Sequence, residues 1–283
     1  MKQVPLPDRV VFVDWHGVLS CDPFWASIRN NARHPLHLQL AKSLAPIFTG
    51  EGAHAWMKGQ VSSAQVIAGM GIKLDRRFRD DFLQRRLLAD CARMRVNVPL
   101  FEMLREVKTS ASIVVATDNM DCFADTFRRI RKTRRLTGHR SAATLAEWAF
   151  VCDDMICSSD VAAFKSEDPV TFFGPWLSRH GITFHDALLI DDREDNCAAF
   201  RQQGGTALRW RIGADDITEA ATALRRWLDA PAESELLCAA ARVRRNPTRL
   251  ADAKVRATAE RVAAGRAVAG WGYQLVGEPV PLG

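Results

Sequence analysis

The stretch Val10-Val11-Phe12-Val13-Asp14-Trp15-His16-Gly17-Val18-Leu19 decides how the chain is read. Its first four residues are β-branched or aromatic and carry no charge, as a strand buried on both faces requires. The run ends on a carboxylate and a glycine turn. The same construction recurs where Ile113-Val114-Val115-Ala116 meets Thr117-Asp118-Asn119, and where Ala187-Leu188-Leu189-Ile190 meets Asp191-Asp192. Met155-Ile156-Cys157 and residues 206–210 read as further strands. Helical patterns over 100–108, 122–136, 169–180, 195–203 and 217–228 separate them. Strands alternating with helices predict an α/β fold, a parallel sheet covered on both faces.

The gap between the first two strands is too long for one crossover. Helical patterns at 38–47, 62–69 and 78–94, punctuated by Gly50, Gly52, Gly59, Gly69 and Gly71, predict an inserted helical subdomain over 20–97. The α/β core then comprises 1–19 and 98–230. After Pro231 the composition shifts. Residues 234–245 and 247–264 read as two helices broken at Asn246-Pro247, before an irregular stretch at 271–283, so 231–283 is a helical C-terminal extension. Its helices could pack on the parent domain, make a homo-oligomer or bind a partner; packing is the simplest reading.

Of the 283 residues, 47% are hydrophobic and 25% charged, which excludes collagen-like, low-complexity and largely disordered chains. No run approaches the roughly 18 apolar residues of a membrane span. Asp8 and Arg9 interrupt any signal-peptide core. The seven cysteines are odd in number and contain no C-x-x-C, which suits free thiols in a reducing compartment, and a cytoplasmic location is expected. The formal net charge of +6 is local: Arg128, Arg129, Arg131, Lys132, Arg134, Arg135 and Arg140 hold the excess, and the remaining chain is near neutral. Phe123, Phe127 and Ile130 mark the sheet-facing stripe of that helix, so the arginines read as a solvated surface. No aromatic platform interleaves them, which argues against nucleic acid as a partner.

The acids at strand ends carry the chemistry. In a parallel α/β sheet, ligands bind at the carboxyl ends of the strands. Several carboxylates converging there repel one another unless a cation sits among them. Oxygen-only donors suit Mg²⁺, which takes one or two carboxylates and keeps positions for water and phosphate. Lys165, shortly after the third strand, supplies a compact positive charge for a carboxylate or a phosphoryl oxygen.

With these residues in order, the chain resembles the haloacid dehalogenase (HAD) superfamily. Asp14 with its strand and glycine turn looks like the first motif, Thr117 the second, Lys165 the third, and Asp191-Asp192 with Asn196 the fourth. The resemblance covers about 8–228, with the insertion where many members carry a helical cap. It implies a HAD-like Rossmannoid sheet and a Mg²⁺-dependent phosphatase acting on a small phosphorylated metabolite. Asp14 would form an aspartyl-phosphate. The carboxylates of Asp14 and Asp192, the His16 carbonyl, and Asp191 directly or through water would hold the metal. Thr117 would bind phosphoryl oxygens and Lys165 offset their charge. Asp118 and Asn119 could reach substrate or cap the next helix, with capping preferred.

One position departs from the pattern. Phosphatases of this family usually carry a second Asp two residues after the nucleophile, which protonates the leaving group; here it is His16. His16 could itself be the acid. Otherwise the chain uses a good leaving group, performs another covalent-Asp hydrolysis, or is a catalytically silent binding or scaffold protein. Phosphonate-cleaving relatives share an Asp-Trp pair and use a cap lysine, for which Lys42, Lys58 and Lys73 are available, with nothing to single one out. Dehalogenase-type chemistry needs no metal, so the Asp191-Asp192 pair counts against it. Substrate choice is expected from cap residues among Trp25, Arg29, Arg33, Trp56, Lys58 and Gln60, the tryptophans being equally suited to packing. His34-x-x-His37 lacks a third ligand and reads as a surface pair.

Overall fold

The computed structural model describes residues 7–49, 51–133 and 144–232. Arg134, Arg135 and Arg140 of the basic segment, Cys238 and the tail helices expected at 234–245 and 247–264 lie outside the described residues.

Five strands form one all-parallel sheet: β1 (Val10–Val13), β2 (Ser112–Thr117), β3 (Asp154–Cys157), β4 (Ala187–Asp191) and β5 (Thr206–Arg209), in the order β3-β2-β1-β4-β5. The most apolar strand, β1, is central, and β2 and β4 flank it. Their registers pair Val13 with both Val115 and Ile190, so the strand-end acids emerge side by side.

Side chains alternate across the pleat and divide the core in two. Val10, Phe12, Val114, Ala116 and Leu189 pack with Phe172, Phe173 and Trp176 of α10 (Pro169–His180) and Phe200 of α11 (Glu194–Gln202). Phe12 stands at its centre, 4.9 Å from the Phe173 ring and edge-on to Trp176. Val11, Val13, Ile113, Val115 and Ile190 face the other side. They meet α6 (Val98–Val107), Phe123 and Phe127 of α7 (Asp121–Thr133), Trp148 of α8 (Leu145–Val151), and α12 (Ile217–Asp229). Local signals set the helix ends: Asn97 caps α6 by accepting from Leu100 N at 3.1 Å, Asp168 caps α10, and Gly181, at φ 67°, ends α10.

Five helices lie between β1 and α6: α1 (Ala26–Arg29), α2 (His37–Thr49), α3 (Gly52–Met57), α4 (Ser63–Gly69) and α5 (Phe82–Cys91). The helix expected over 78–94 is shorter because Asp75 closes turns ahead of it, accepting from Arg77 N and Phe78 N. The short helices α3 and α8 were not read from the sequence; α3 opens on a glycine and is too short to display a period. Trp25 and Trp56 are fully buried and belong to the same apolar cluster as β1 and β2, so both are packing residues.

Polar contacts fasten the inserted helices to α7 and to the turn that follows β3. Asp121, which opens α7, accepts from Trp56 Nε1 at 2.8 Å and from Ser63 N at 2.9 Å. Beyond β3, in the turn α9 (Ser158–Val161), Ser158 Oγ donates to the Met57 carbonyl at 2.7 Å. Gly59 lies back to back with that turn: at φ +68°, a Cβ would sit 2.2 Å from the Ser159 carbonyl oxygen. A side chain there is excluded on both counts.

Truncating the side chain at the centre of the first cluster leaves a cavity with no flexible neighbour to fill it. Phe12→Ala is expected to destabilise the protein by about 3–5 kcal/mol, measured by urea unfolding.

Candidate active site

Asp14 leaves the sheet while still on its ladder, its N–H donating to the Ile190 carbonyl at 2.9 Å. Its Oδ1 accepts from Trp15 N at 2.7 Å and lies 3.1 Å from Lys165 Nζ. Lys165 is wholly buried, and its ammonium has three acceptors: Asp14, Asp191 Oδ2 at 2.6 Å, and the Ala116 carbonyl at 3.1 Å. The ammonium thus has two hydrogen bonds and an ion pair with Asp14. Burial works to strip its proton, but the carboxylates of Asp14, Asp191 and Asp118 outweigh that and hold its pKa well above the usual lysine range.

The acids feel the reverse pressure. Burial pushes Asp14 up to about 8; Lys165 opposes this, and the charges of Asp191 and Asp118 add to it. Burial also raises Asp118 and Asp192, with Lys165 opposing in both and Asp191 adding to the rise. One ammonium does not balance the four carboxylates gathered here.

The fit of a cation can be read from the donors. One carboxylate oxygen from each of Asp14, Asp191 and Asp192 lies within 4.8 Å of the other two, the one such acidic or His/Cys group among the described residues. Asp192 Oδ1 is buried with no hydrogen-bond partner, an arrangement that costs free energy unless something absent from the chain satisfies it. Gly17 makes room for this carboxylate: it sits at φ +87°, and a Cβ would meet Asp192 Oδ2 at 2.4 Å. Thr117 Oγ1, at the end of neighbouring β2, is likewise buried without a partner. An oxygen-liganded divalent cation beside an anion fits this set.

Asp191 is arranged differently. Oδ2 receives Lys165 and Asn196 Nδ2, and Oδ1 receives Arg193 N at 2.9 Å and Asn196 Nδ2 at 3.0 Å. Its acceptor positions are filled, which leaves it the water-mediated route to a cation and gives it the task of fixing Lys165. Asp118 and Asn119 do not cap α7. The Asp118 carboxylate accepts from Lys165 N at 3.2 Å, and Asn119 is held by Ser158, so the capping expectation is corrected: β2 turns toward the Lys165 loop before α7 begins.

Two cavities meet at the strand ends. A polar one of about 250 Å³ is lined by Asp14, His16, His54, Asp118, Asp192 and Arg193 among others. A mainly apolar one of about 670 Å³ extends under α2. His16, Met57 and Asp118 line both. The protein around His16 lowers its pKa, Arg29 adds to this and Asp192 opposes it. His54, on inserted helix α3, was missed by sequence reasoning; its ring stands edge-on to Phe164 at 5.4 Å. Nothing in Ala-His-Ala-Trp marked it.

Of the insertion lysines, Lys58 reaches the site's rim, paired with Glu167 at 2.6 Å and over the Phe164 ring; Lys42 and Lys73 are exposed on the surface. Arg29 lines the apolar cavity, and Trp25 and Trp56 are in the core. His34 stacks on Phe82 and His37 Nδ1 meets the Ile28 carbonyl, so the pair converges on no metal. Of the six described cysteines, all free, Cys21 is exposed on the apolar cavity and the other five are buried. Among the described residues no helix is long and apolar enough to cross a membrane.

No family model and no curated protein sequence matches the chain. Solved structures do. A variant of a HAD family enzyme from Bacteroides thetaiotaomicron, in complex with magnesium and inorganic phosphate, is 15% identical with a TM-score of 0.51, covering 73% of this chain and 96% of that one. A predicted HAD-like family hydrolase from Porphyromonas gingivalis is 16% identical at 0.51, covering 77% and 98%. An L-2-haloacid dehalogenase is 14% identical at 0.51, covering 77% and 99%. The chain has the HAD-like fold: a Rossmannoid parallel sheet with helices inserted after the first strand.

Removing the buried ammonium leaves the carboxylates of Asp14 and Asp191 buried without their counter-charge. Lys165→Met is expected to destabilise the protein by about 3–5 kcal/mol at neutral pH, read from denaturant unfolding.

Proposed function

We propose that the chain is a Mg²⁺-dependent phosphatase that hydrolyses a phosphomonoester through an aspartyl-phosphate on Asp14. The observation that carries this reading is the pair of unpartnered buried oxygens, Thr117 Oγ1 at the end of β2 and Asp192 Oδ1 just past the end of β4, the strands either side of β1. One asks for a cation and the other for an anion's oxygen, and a phosphate ester with its metal supplies both.

Asp14 attacks phosphorus with one carboxylate oxygen, while Trp15 N and Lys165 hold the side chain in line. Thr117 donates its hydroxyl proton to a phosphoryl oxygen, and Lys165 offsets charge on the phosphoryl group. Asp191, with Asn196, keeps Lys165 in position. Asp14, Asp192 and the His16 carbonyl would hold Mg²⁺, with Asp191 acting through water. Bound there, the metal would supply Lewis-acid neutralisation of the phosphoryl charge and a counter-charge for Asp14. Water then releases phosphate and regenerates Asp14. No carboxylic acid stands two residues after Asp14, so esters whose leaving group departs unaided are the best substrates.

This supports three expectations. Wild-type protein hydrolyses an aryl phosphate only with Mg²⁺, and Asp14→Asn loses at least about 10³-fold in turnover, roughly 4 kcal/mol of barrier. Equal rates in the two proteins would sink the proposal. Without substrate, Mg²⁺ at about 100 times its Kd stabilises the wild type by about 2.7 kcal/mol, seen as a higher Tm, and Asp192→Ala loses most of that shift. His16→Asp adds the missing acid and raises turnover of alkyl phosphates by about 10²-fold, with little gain on aryl phosphates; steady-state kinetics on both esters separate the two.

A further inference from the structure

Beside the polar cavity at Asp14 lies the larger apolar one, and the two share His16, Met57 and Asp118. A group leaving the phosphorus therefore departs beside about 670 Å³ of space. Its walls include Trp15, Phe24, Leu44, Phe48, Met57 and Met120. Such a wall stabilises apolar surface removed from water and offers few partners for a polyhydroxylated sugar, whose hydroxyls would be desolvated without hydrogen bonds. Phe48 is one of the few large apolar side chains left exposed, at 43%. Trp15 Nε1 is buried without an acceptor, although the ring lines this cavity.

The cavity has one permanently charged cation in its lining, the exposed Arg29. Arg29 closes α1, and among the described residues no carboxylate is paired with it. Its charge reaches His16 at the junction of the two cavities. An unpaired guanidinium at the edge of an apolar space is suited to a planar carboxylate, which it can bind with two parallel hydrogen bonds.

We infer that the substrate is an aryl phosphate whose apolar ring system fills the cavity under α2 and whose carboxylate pairs with Arg29. This rests on the phosphatase reading and narrows it: the leaving group is aromatic and acidic, not a sugar. The missing acid at His16 agrees. A phenol, with a pKa of about 10 as in tyrosine, leaves as its anion far more readily than an alkyl alcohol. The bond from phosphorus to the aryl oxygen breaks as that from phosphorus to Asp14 forms. The aryloxide departs with the electron pair and takes its proton from water.

The test is a four-member panel with Mg²⁺ and free phosphate as readout: a hexose phosphate, phenyl phosphate, naphthyl phosphate, and naphthyl phosphate bearing a carboxylate. Expected is a rise in kcat/KM along that order, with at least about tenfold between the neutral and carboxylated naphthyl esters, carried by KM. In Arg29→Ala that last ratio falls to about one. In Ala45→Trp, which narrows the cavity, the naphthyl-to-phenyl ratio falls. Calorimetry on the product alone, a hydroxynaphthoate, is expected to give a Kd about tenfold weaker in Arg29→Ala. Equal kcat/KM across the panel, a preference for the hexose phosphate, or an unchanged ratio in Arg29→Ala would overturn the inference and leave the phosphatase reading standing. Absence of Mg²⁺-dependent turnover on every member would overturn the phosphatase reading. Product binding unaffected by Arg29→Ala would then overturn this inference as well.

Discussion

The arrangement depends on one ammonium group held without water among carboxylates. Burying a charge costs several kcal/mol per ion, and the cost is met only when every donor and acceptor is used. Lys165 offsets that cost with hydrogen bonds to Asp191 and the Ala116 carbonyl and an ion pair with Asp14, drawing on the ends of three adjacent strands. At an effective dielectric of about 20, each unit-charge pair near 4 Å is worth about 4 kcal/mol, so the geometry of this contact outweighs any single surface ion pair. It also fixes where the strands must end. A shift of β4 by one residue against β1 would turn Asp191 away from Lys165 and exchange its apolar residues between the two faces of the sheet.

The same cluster is incomplete by itself. Asp191 is saturated, whereas Asp192 and Thr117 each keep a buried oxygen without a partner. Polar atoms left bare inside a protein destabilise it, and these two lie on either side of Asp14, where a bound group would satisfy both. Fold likeness alone would not have led there, since solved structures sharing this fold include a dehalogenase as well as an enzyme holding magnesium and phosphate.

Much of this was legible in the sequence. The uncharged β-branched runs gave the strands of a parallel sheet because burial on both faces leaves no room for alternation. The acids following those runs fall where such a sheet gathers them. The short helices were not legible, because one or two turns carry no periodic signal. His54 and the apolar cavity were hidden for another reason: they arise where the inserted helices meet the strand ends, and contacts between distant segments leave no local pattern. Asp121 is the sharpest case. It reads as an ordinary helix-opening acid, yet it takes the Trp56 indole and the Ser63 amide from more than fifty residues away.

Trp25, Leu40, Leu44, Trp56 and Leu87 of the inserted helices belong to one apolar cluster with Val11, Val13 and Val115 of the sheet. The insertion is thus no detachable accessory. Its apolar side chains share one interior with the sheet, joined to it through α7, so the inserted helices and the sheet melt as one cooperative unit.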